Sequence, residues 1–436
     1  MQHKGRNHRM KQTFAILFIG LIFCTPLLSV AAEEQGAPVG LEELIAEAIG
    51  RNPELKASEE HVAAFEEKPS QAEALDNPRL GLAVLNLPTD TYRFDQEPMT
   101  QKQISLKQRF PFPGKLSLKG DIARKDLAIV KHKNEETKNS LIMQVKFAYW
   151  NLLFLDKAIE VTEKNRALLR EFVRIAETRY AVGMGIQQDV LKAQVELSTR
   201  TDRLIDLRQK RRSMEANLNT LLSRPPHLPV RSGKDIDAVK QTGFTHIVED
   251  LQTMAMENSP SLRGVKSLVE RYDLTHALAK KGYYPDFDIG ISYGLREETA
   301  TADWPNFISA SITMTIPLWS RSKESRKVAE EKANSRRATE RFVSAKNSLL
   351  FTITDRMAEI ERYTQKIELF RTGLIPQSRA SLESALAGYK VNKVDFKTLI
   401  DNETTLYMKE IAYYQARAEY EKTLAGLEAV VGKRLF

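Results

Sequence analysis

The sequence predicts a mainly α-helical protein with a small β part, laid out as two copies of one plan. Three observations carry that reading. Apolar residues recur at spacings of three and four along very long stretches in each half. Four short stretches alternate apolar with polar or small side chains at a period of two. The whole pattern then returns after about 207 residues, which marks a duplication rather than a short-period solenoid.

The first 32 of the 436 residues hold Lys4, Arg6, Arg9 and Lys11 and no acid. An apolar run over 14–28, then small residues at Val30 and Ala32, reads as an export signal cleaved after Ala32. Met10 is an alternative start, and an uncleaved anchor helix an alternative fate, although the run is short for a membrane span. The sole cysteine, Cys24, falls inside this segment, so the exported chain has no disulfide. Without the segment, 61 basic side chains face 57 acidic ones, a balance of +4. That bias is weak, and no basic stripe with interleaved aromatics accompanies it, so nucleic acid is not a partner.

The mature chain opens on Leu41, Leu44, Ile45, Ala48 and Ile49 at helical spacing, and Asn52-Pro53 starts a second helix. Asn77-Pro78 stops it. Leu80, Leu82 and Val84 then alternate with Arg79, Gly81 and Ala83; Ile104, Leu106 and Phe110 alternate with Gln103, Ser105, Lys107 and Arg109. A helix from about Lys115 to Ala181 follows, about 100 Å long if unbroken. Its seam includes Leu141, Val145, Leu152, Leu155, Leu169 and Ala176. Gly183 and Gly185 suit a turn with positive φ, and a second seam returns through Val190, Ala193, Leu197, Leu204, Leu207 and Leu218. The result is a helical hairpin with its tip near 181–189.

The second half repeats these signals. Asn258 and Pro260 stand for Asn52-Pro53, and Tyr284-Pro285 for Asn77-Pro78. Phe287, Ile289, Ile291, Tyr293 and Leu295 form one strand face, Ile308, Ala310, Ile312 and Met314 another. One unbroken helix is expected from about Lys323 to Gly388. At the second tip Asn392 replaces the first glycine, being the residue that next best tolerates the left-handed conformation. The organisation is an export signal over 1–32, a first repeat over 33–224 (strands about 78–110) and a connector over 225–245. A second repeat spans 246–436, with strands about 286–317 and its tip about 388–396.

Strands apolar on one face and polar on the other suit a membrane barrel, with an ordinary soluble sheet as the alternative. Four strands cannot close alone, since the smallest such barrels have about eight. Several protomers must then share one barrel. Asp286 and Asp288 are read as part of its polar lining. His61, His132, His227, His246 and His276 are too scattered for a metal site, no nucleotide or nucleophile motif is present, and the methionines form no copper-binding tract. No enzyme activity, cofactor or metal is expected.

At its tips the chain resembles the TolC-type outer-membrane efflux proteins. Arg179 to Gly183, Asp189-Val190 and Ala193-Gln194 are similar to that family's first tip motif, and Tyr389, Leu399, Asp401 and Thr404 to Tyr407 to its second. The resemblance implies a homotrimer with a twelve-stranded barrel in the outer-membrane lipid and a helical tunnel through the periplasm. It also implies a periplasmic adaptor and an inner-membrane pump, most simply of the RND type. Asp189, Tyr389 and Asp401 match residues that close the tunnel mouth, and a ring of Asp401 carboxylates would favour cations. Val394 and Thr398 stand where the family pattern has an arginine and an aspartate, so Lys393 and Asp395 become candidate substitutes; Asp189 and Asp395 equally suit helix capping. Gly183, Gly185 and Asn392 match the turns on which the adaptor docks. Two other readings remain open: the outer-membrane part of a type I protein secretion system, and a soluble periplasmic coiled-coil adaptor.

Overall fold

A computed structural model describes residues 40–230, 235–298 and 303–436. The export signal, Cys24, the cleavage point at Ala32 and the choice between Met1 and Met10 lie outside those residues. The element order is α1 (Leu41–Arg51), α2 (Pro53–Glu66), α3 (Lys68–Glu73), β1 (Arg79–Leu85), β2 (Gln101–Phe110), α4 (Lys115–Ala181) and α5 (Gln187–Leu221). The second half runs α6 (Val248–Asn258), α7 (Pro260–Lys281), β3 (Phe287–Leu295), β4 (Phe307–Met314), α8 (Glu324–Leu369), α9 (Ile375–Lys390) and α10 (Phe396–Val431).

Each repeat begins against the end of its own hairpin. Asn52 caps α2, its Oδ1 accepting the N–H groups of Glu54 and Leu55 at 3.0 and 3.2 Å, and its Nδ2 donates to the Leu221 carbonyl at 3.0 Å. In the second repeat, Gly432 ends α10 at φ 78°, and a Cβ there would stand 2.5 Å from the Asn258 carbonyl oxygen. The same closure is thus made by a side chain in one half and by a missing side chain in the other.

The expected single helix from Lys323 to Gly388 is interrupted. A π-helical turn over Phe370–Leu374 separates α8 from α9. Pro376 supplies the reason: it lacks an N–H, and its ring would meet the carbonyl four residues back, so the helix widens rather than kinks sharply. The connector is strapped down at about this level. Buried Lys157 pairs with Asp235 at 3.0 Å and Asp237 at 2.8 Å. Tyr420 donates to the Thr242 carbonyl at 2.7 Å, and Glu421 accepts both the backbone and the hydroxyl of Thr242.

The four strands form one antiparallel sheet in the order β1-β2-β3-β4. Its register aligns Leu80 with Leu106, Ile291 and Ala310, and Leu82 with Ile104, Tyr293 and Ile308. The opposite face aligns Gly81, Ser105, Ser292 and Ser309. Leu82 and Ile308 are 76% and 77% exposed, so among the described residues the apolar face packs against no core. That exposure favours the barrel over an ordinary soluble sheet, whose apolar face would lie on a core. Among the described residues no helix is long and apolar enough to cross a membrane.

Asp286 departs from its expected place in the polar lining. It precedes β3 and fastens the strands to the helices. Its carboxylate accepts from Lys115 Nζ at 2.7 Å, Arg109 Nη2 at 2.9 Å and the Phe112 N–H at 2.9 Å. Replacing it with alanine leaves the half-buried Lys115 ammonium with the Tyr284 carbonyl but no counter-charge, and is expected to cost about 1.5–3 kcal/mol. Thermal unfolding of the detergent-extracted Asp286→Ala protein checks this, with Asp286→Asn falling in between; an unchanged midpoint contradicts the fastening role.

Candidate functional site: the hairpin tips

The two tips meet over a small apolar core of Leu169, Phe172, Ala176, Ala193, Leu382, Ala385, Tyr389, Phe396, Leu399 and Ile400. Gly183 turns the first tip at φ 72° and Asn392 the second at φ 62°. Gly185 differs from expectation, because its φ is not positive. Its lack of a side chain provides space instead: a Cβ would lie 3.2 Å from Arg179 Cβ and 3.3 Å from the Tyr180 backbone nitrogen.

Arg179 joins the tips. Its guanidinium lies 4.4 Å over the Tyr389 ring, donates to the Tyr389 carbonyl and donates to the Met184 carbonyl at 3.1 Å. Tyr389 in turn donates its hydroxyl to Asp189 at 3.4 Å and packs on Phe396 with ring centroids 5.4 Å apart. Desolvation, reinforced by the Asp189 carboxylate, raises the Tyr389 phenol above its ordinary pKa. The structure therefore brings Asp189 and Tyr389 together within one chain. Asp395 caps α10, accepting the Thr398 N–H at 2.7 Å; that residue's hydroxyl and N–H hold the carboxylate below the usual range. Lys393 and Asp401 are exposed, and among the described residues their side chains make no hydrogen bond or ion pair. Val394 packs on Gly388, where a Cβ would meet it at 2.6 Å.

A second polar joint lies farther from the tips; it joins Thr404 and Tyr407 of the second tip motif to Arg200, Glu403, Asn165 and Thr162, which the sequence reading passes over. Glu403 is fully buried, and Asn165 donates to it. Arg200, 6% exposed, reaches Glu403 at 3.5 Å, Asn165 Oδ1 at 2.9 Å and Thr404 at 3.1 Å, with its guanidinium 4.5 Å over the Tyr407 ring. Tyr407 and Thr162 share a further hydrogen bond at 3.1 Å. The signal was present: Arg200 and Glu403 interrupt apolar seams on α5 and α10, where a lone charge is tolerated only with a partner. Burial lifts the Glu403 carboxyl above its ordinary value, against the opposing pull of Asn165 and Arg200. Together the two joints hold the first hairpin against the second.

The chain as a whole is similar to known proteins in sequence pattern and fold. A family model described as outer membrane efflux protein matches residues 44–224 and 251–433. The outer membrane protein VceC of Vibrio cholerae is similar over 90% of this chain and 96% of its own, at 16% identity and a TM-score of 0.75. The MtrE outer membrane channel of Neisseria gonorrhoeae, in its open state, is similar over 90% and 89%, at 15% identity and a TM-score of 0.74. Such identities show the fold alone. A toxin and drug export protein of Aggregatibacter actinomycetemcomitans is 23% identical over 45% of this chain. The chain spans 43% of that relative's length and 66% of a second relative's, from Haemophilus influenzae.

The raised Glu403 makes a pH prediction. Above pH 4.5 the unfolded carboxyl loses its proton while the folded one keeps it. The native state then binds more protons, so this contribution to stability is full below 4.5 and falls as pH rises through the folded pKa. Half-buried Glu410 and buried Glu421 add to the same slope. Glu403→Gln should reduce the loss of unfolding midpoint with rising pH; a variant that keeps the full slope contradicts the assignment.

Proposed function

Because the chain belongs to the outer membrane efflux protein family, whose members are channels rather than enzymes, we propose that it is the exit duct of a tripartite efflux system. In this reading residues 1–32 are removed on export, and three copies join their sheets edge to edge into a twelve-stranded barrel. The observation that carries it is the sheet itself: among the described residues nothing packs on its apolar face, and each of its two outer strands has an unpaired edge. Lipid covers such a face, and closure is the way to pair such edges in lipid.

The helices pack sideways around the same axis. Leu191, Val195 and Ile205, exposed along one side of α5, fit that lateral packing. The duct is passive, since it carries no nucleotide motif, and its energy comes from an inner-membrane pump. An adaptor seats on the tips at Gly183, Gly185 and Asn392. Docking there loosens the Arg179–Tyr389–Asp189 joint and lets the hairpins part. The exposed Asp401 carboxylates of three copies line the mouth, with Lys393 beside them and Asp395 retained as a cap. An RND-type pump is the first partner in view. Type I protein secretion is the second reading, favoured by the named relative whose description includes both a toxin and drugs.

Ile291, 59% exposed in the middle of β3, tests the lipid face. An arginine there is expected to cost about 2–4 kcal/mol if the site lies near the bilayer midplane. Ile291→Arg should lower the yield of assembled protein in outer membranes, whereas Ser292→Arg on the opposite face should not. Equal tolerance of both would remove the barrel reading.

A further inference from the structure

The polar face of the sheet carries an unbalanced pair of cations. The register sets Arg79 of β1 directly opposite Lys107 of β2. Directly opposed residues in an antiparallel pair hold their Cβ atoms about 4.5–5.5 Å apart, and like charges in that position destabilise the pairing. Both side chains are exposed, and among the described residues neither forms an ion pair. Neighbouring strands keep the space beside them clear. Lys107 is followed across the sheet by Gly290 and then Ser311, and a Cβ on Gly290 would lie 3.3 Å from Lys107 Cγ.

The remaining charges at this end of the sheet are engaged elsewhere. Arg109 pairs with Asp286 and lies opposite Asp288 in the register, while Lys115 is held by Asp286. Lys323 and Glu324 line the same hollow as Lys115 and Asp286, and Lys281 lies over the Phe112 and Tyr284 rings. With Asp76 just before β1, six cations, Arg79, Lys107, Arg109, Lys115, Lys281 and Lys323, therefore meet four carboxylates, Asp76, Asp286, Asp288 and Glu324. The carboxylates gather around Arg109 and Lys115. Farther along the same face, Ser105, Ser292 and Ser309, then Gln103 and Gly294, are neutral.

We propose that Arg79 and Lys107 form a cationic collar inside the barrel, at the end nearest the helices, that selects anionic solutes for exit. The proposal rests on the trimeric channel reading, which would place three such pairs around one lumen. Rings of Lys or Arg draw anions through a pore as acidic rings draw cations. The low-dielectric wall behind them strengthens the field, and it weakens as salt rises. The collar also bears the repulsion between its own two members, which a passing anion relieves. The exposed Asp401 mouth, at the far end of the tunnel, has the opposite sign, so the two ends make opposed demands on a charged solute. Current through the whole duct reveals which end governs.

The test is the reversal potential of the purified full-length protein in a planar bilayer under a potassium chloride gradient. Because the Asp401 mouth pulls the wild-type ratio toward cations, the collar is read from the change in that ratio on neutralisation, whichever ion the wild type favours. An Arg79→Gln, Lys107→Gln double variant is expected to lower the chloride-to-potassium permeability ratio several-fold, and the charge-conserving Arg79→Lys, Lys107→Arg variant to leave it unchanged. Should the double variant fail to assemble, Lys107→Gln alone should move the ratio in the same direction by a smaller step. Conducting channels whose ratio does not move on neutralisation overturn the collar and leave the channel reading intact. Absence of any current from wild-type protein defeats the channel reading and the collar with it.

Discussion

A backbone that crosses lipid has to pair all of its N–H and C=O groups within protein, and four strands in a flat order leave two edges open. Much of the remaining structure follows from that constraint. Among the described residues the sheet does not fold back on the helices of its own chain: Leu80, Leu82, Ile291 and Ile308 stay exposed. Instead Asp286 ties the strand ends to the first turn of α4, holding sheet and helices in fixed relation while leaving the apolar face free. In the channel reading, closure falls to other copies of the chain. A helix of 67 residues such as α4 is similarly unable to bury its length in one protomer, so barrel and helices make the same demand for neighbours.

Along the helices, apolar seams give cohesion and a few charged residues give position. The tip core ends in the Arg179–Tyr389–Asp189 joint; Arg200 and Glu403 form a second, buried joint farther in; Lys157 and Tyr420 strap the connector beyond that. Each joint links the two repeats or the segment between them. A buried ion pair adds little net stability, but it penalises any register in which a partner is missing. The placement of these groups therefore fixes which turns of the two hairpins lie side by side. The π-helical turn before Pro376 sits at about the level of the connector, where the lower part of the second hairpin begins.

Much of this was legible in the sequence. The period-two alternation identified all four strands and both faces, because a half-covered sheet imposes that pattern directly. The heptad seams located α4, α5 and α10, and Asn392 identified the second turn by its tolerance of positive φ. What was less legible depends on three-dimensional neighbours. Pro376 was visible, yet a proline in a long helix can kink, break or widen it, and the outcome depends on packing against α10. Gly185 looked like a second turn residue, whereas it serves close approach to Arg179. Asp286 looked like a strand residue by parity but lies just before the strand. Arg200 and Glu403 sit about 200 positions apart in the chain, and only the packed hairpins show that the two interruptions answer each other.

In the channel reading the chain works as a shared barrel with a tunnel. The most direct test is the mass and single-channel conductance of the protein extracted from outer membranes in detergent. A trimer that conducts in a planar bilayer, with small currents while its tips are joined, is the expected result. A water-soluble monomer or dimer with no conductance would contradict it and restore the reading of a periplasmic adaptor.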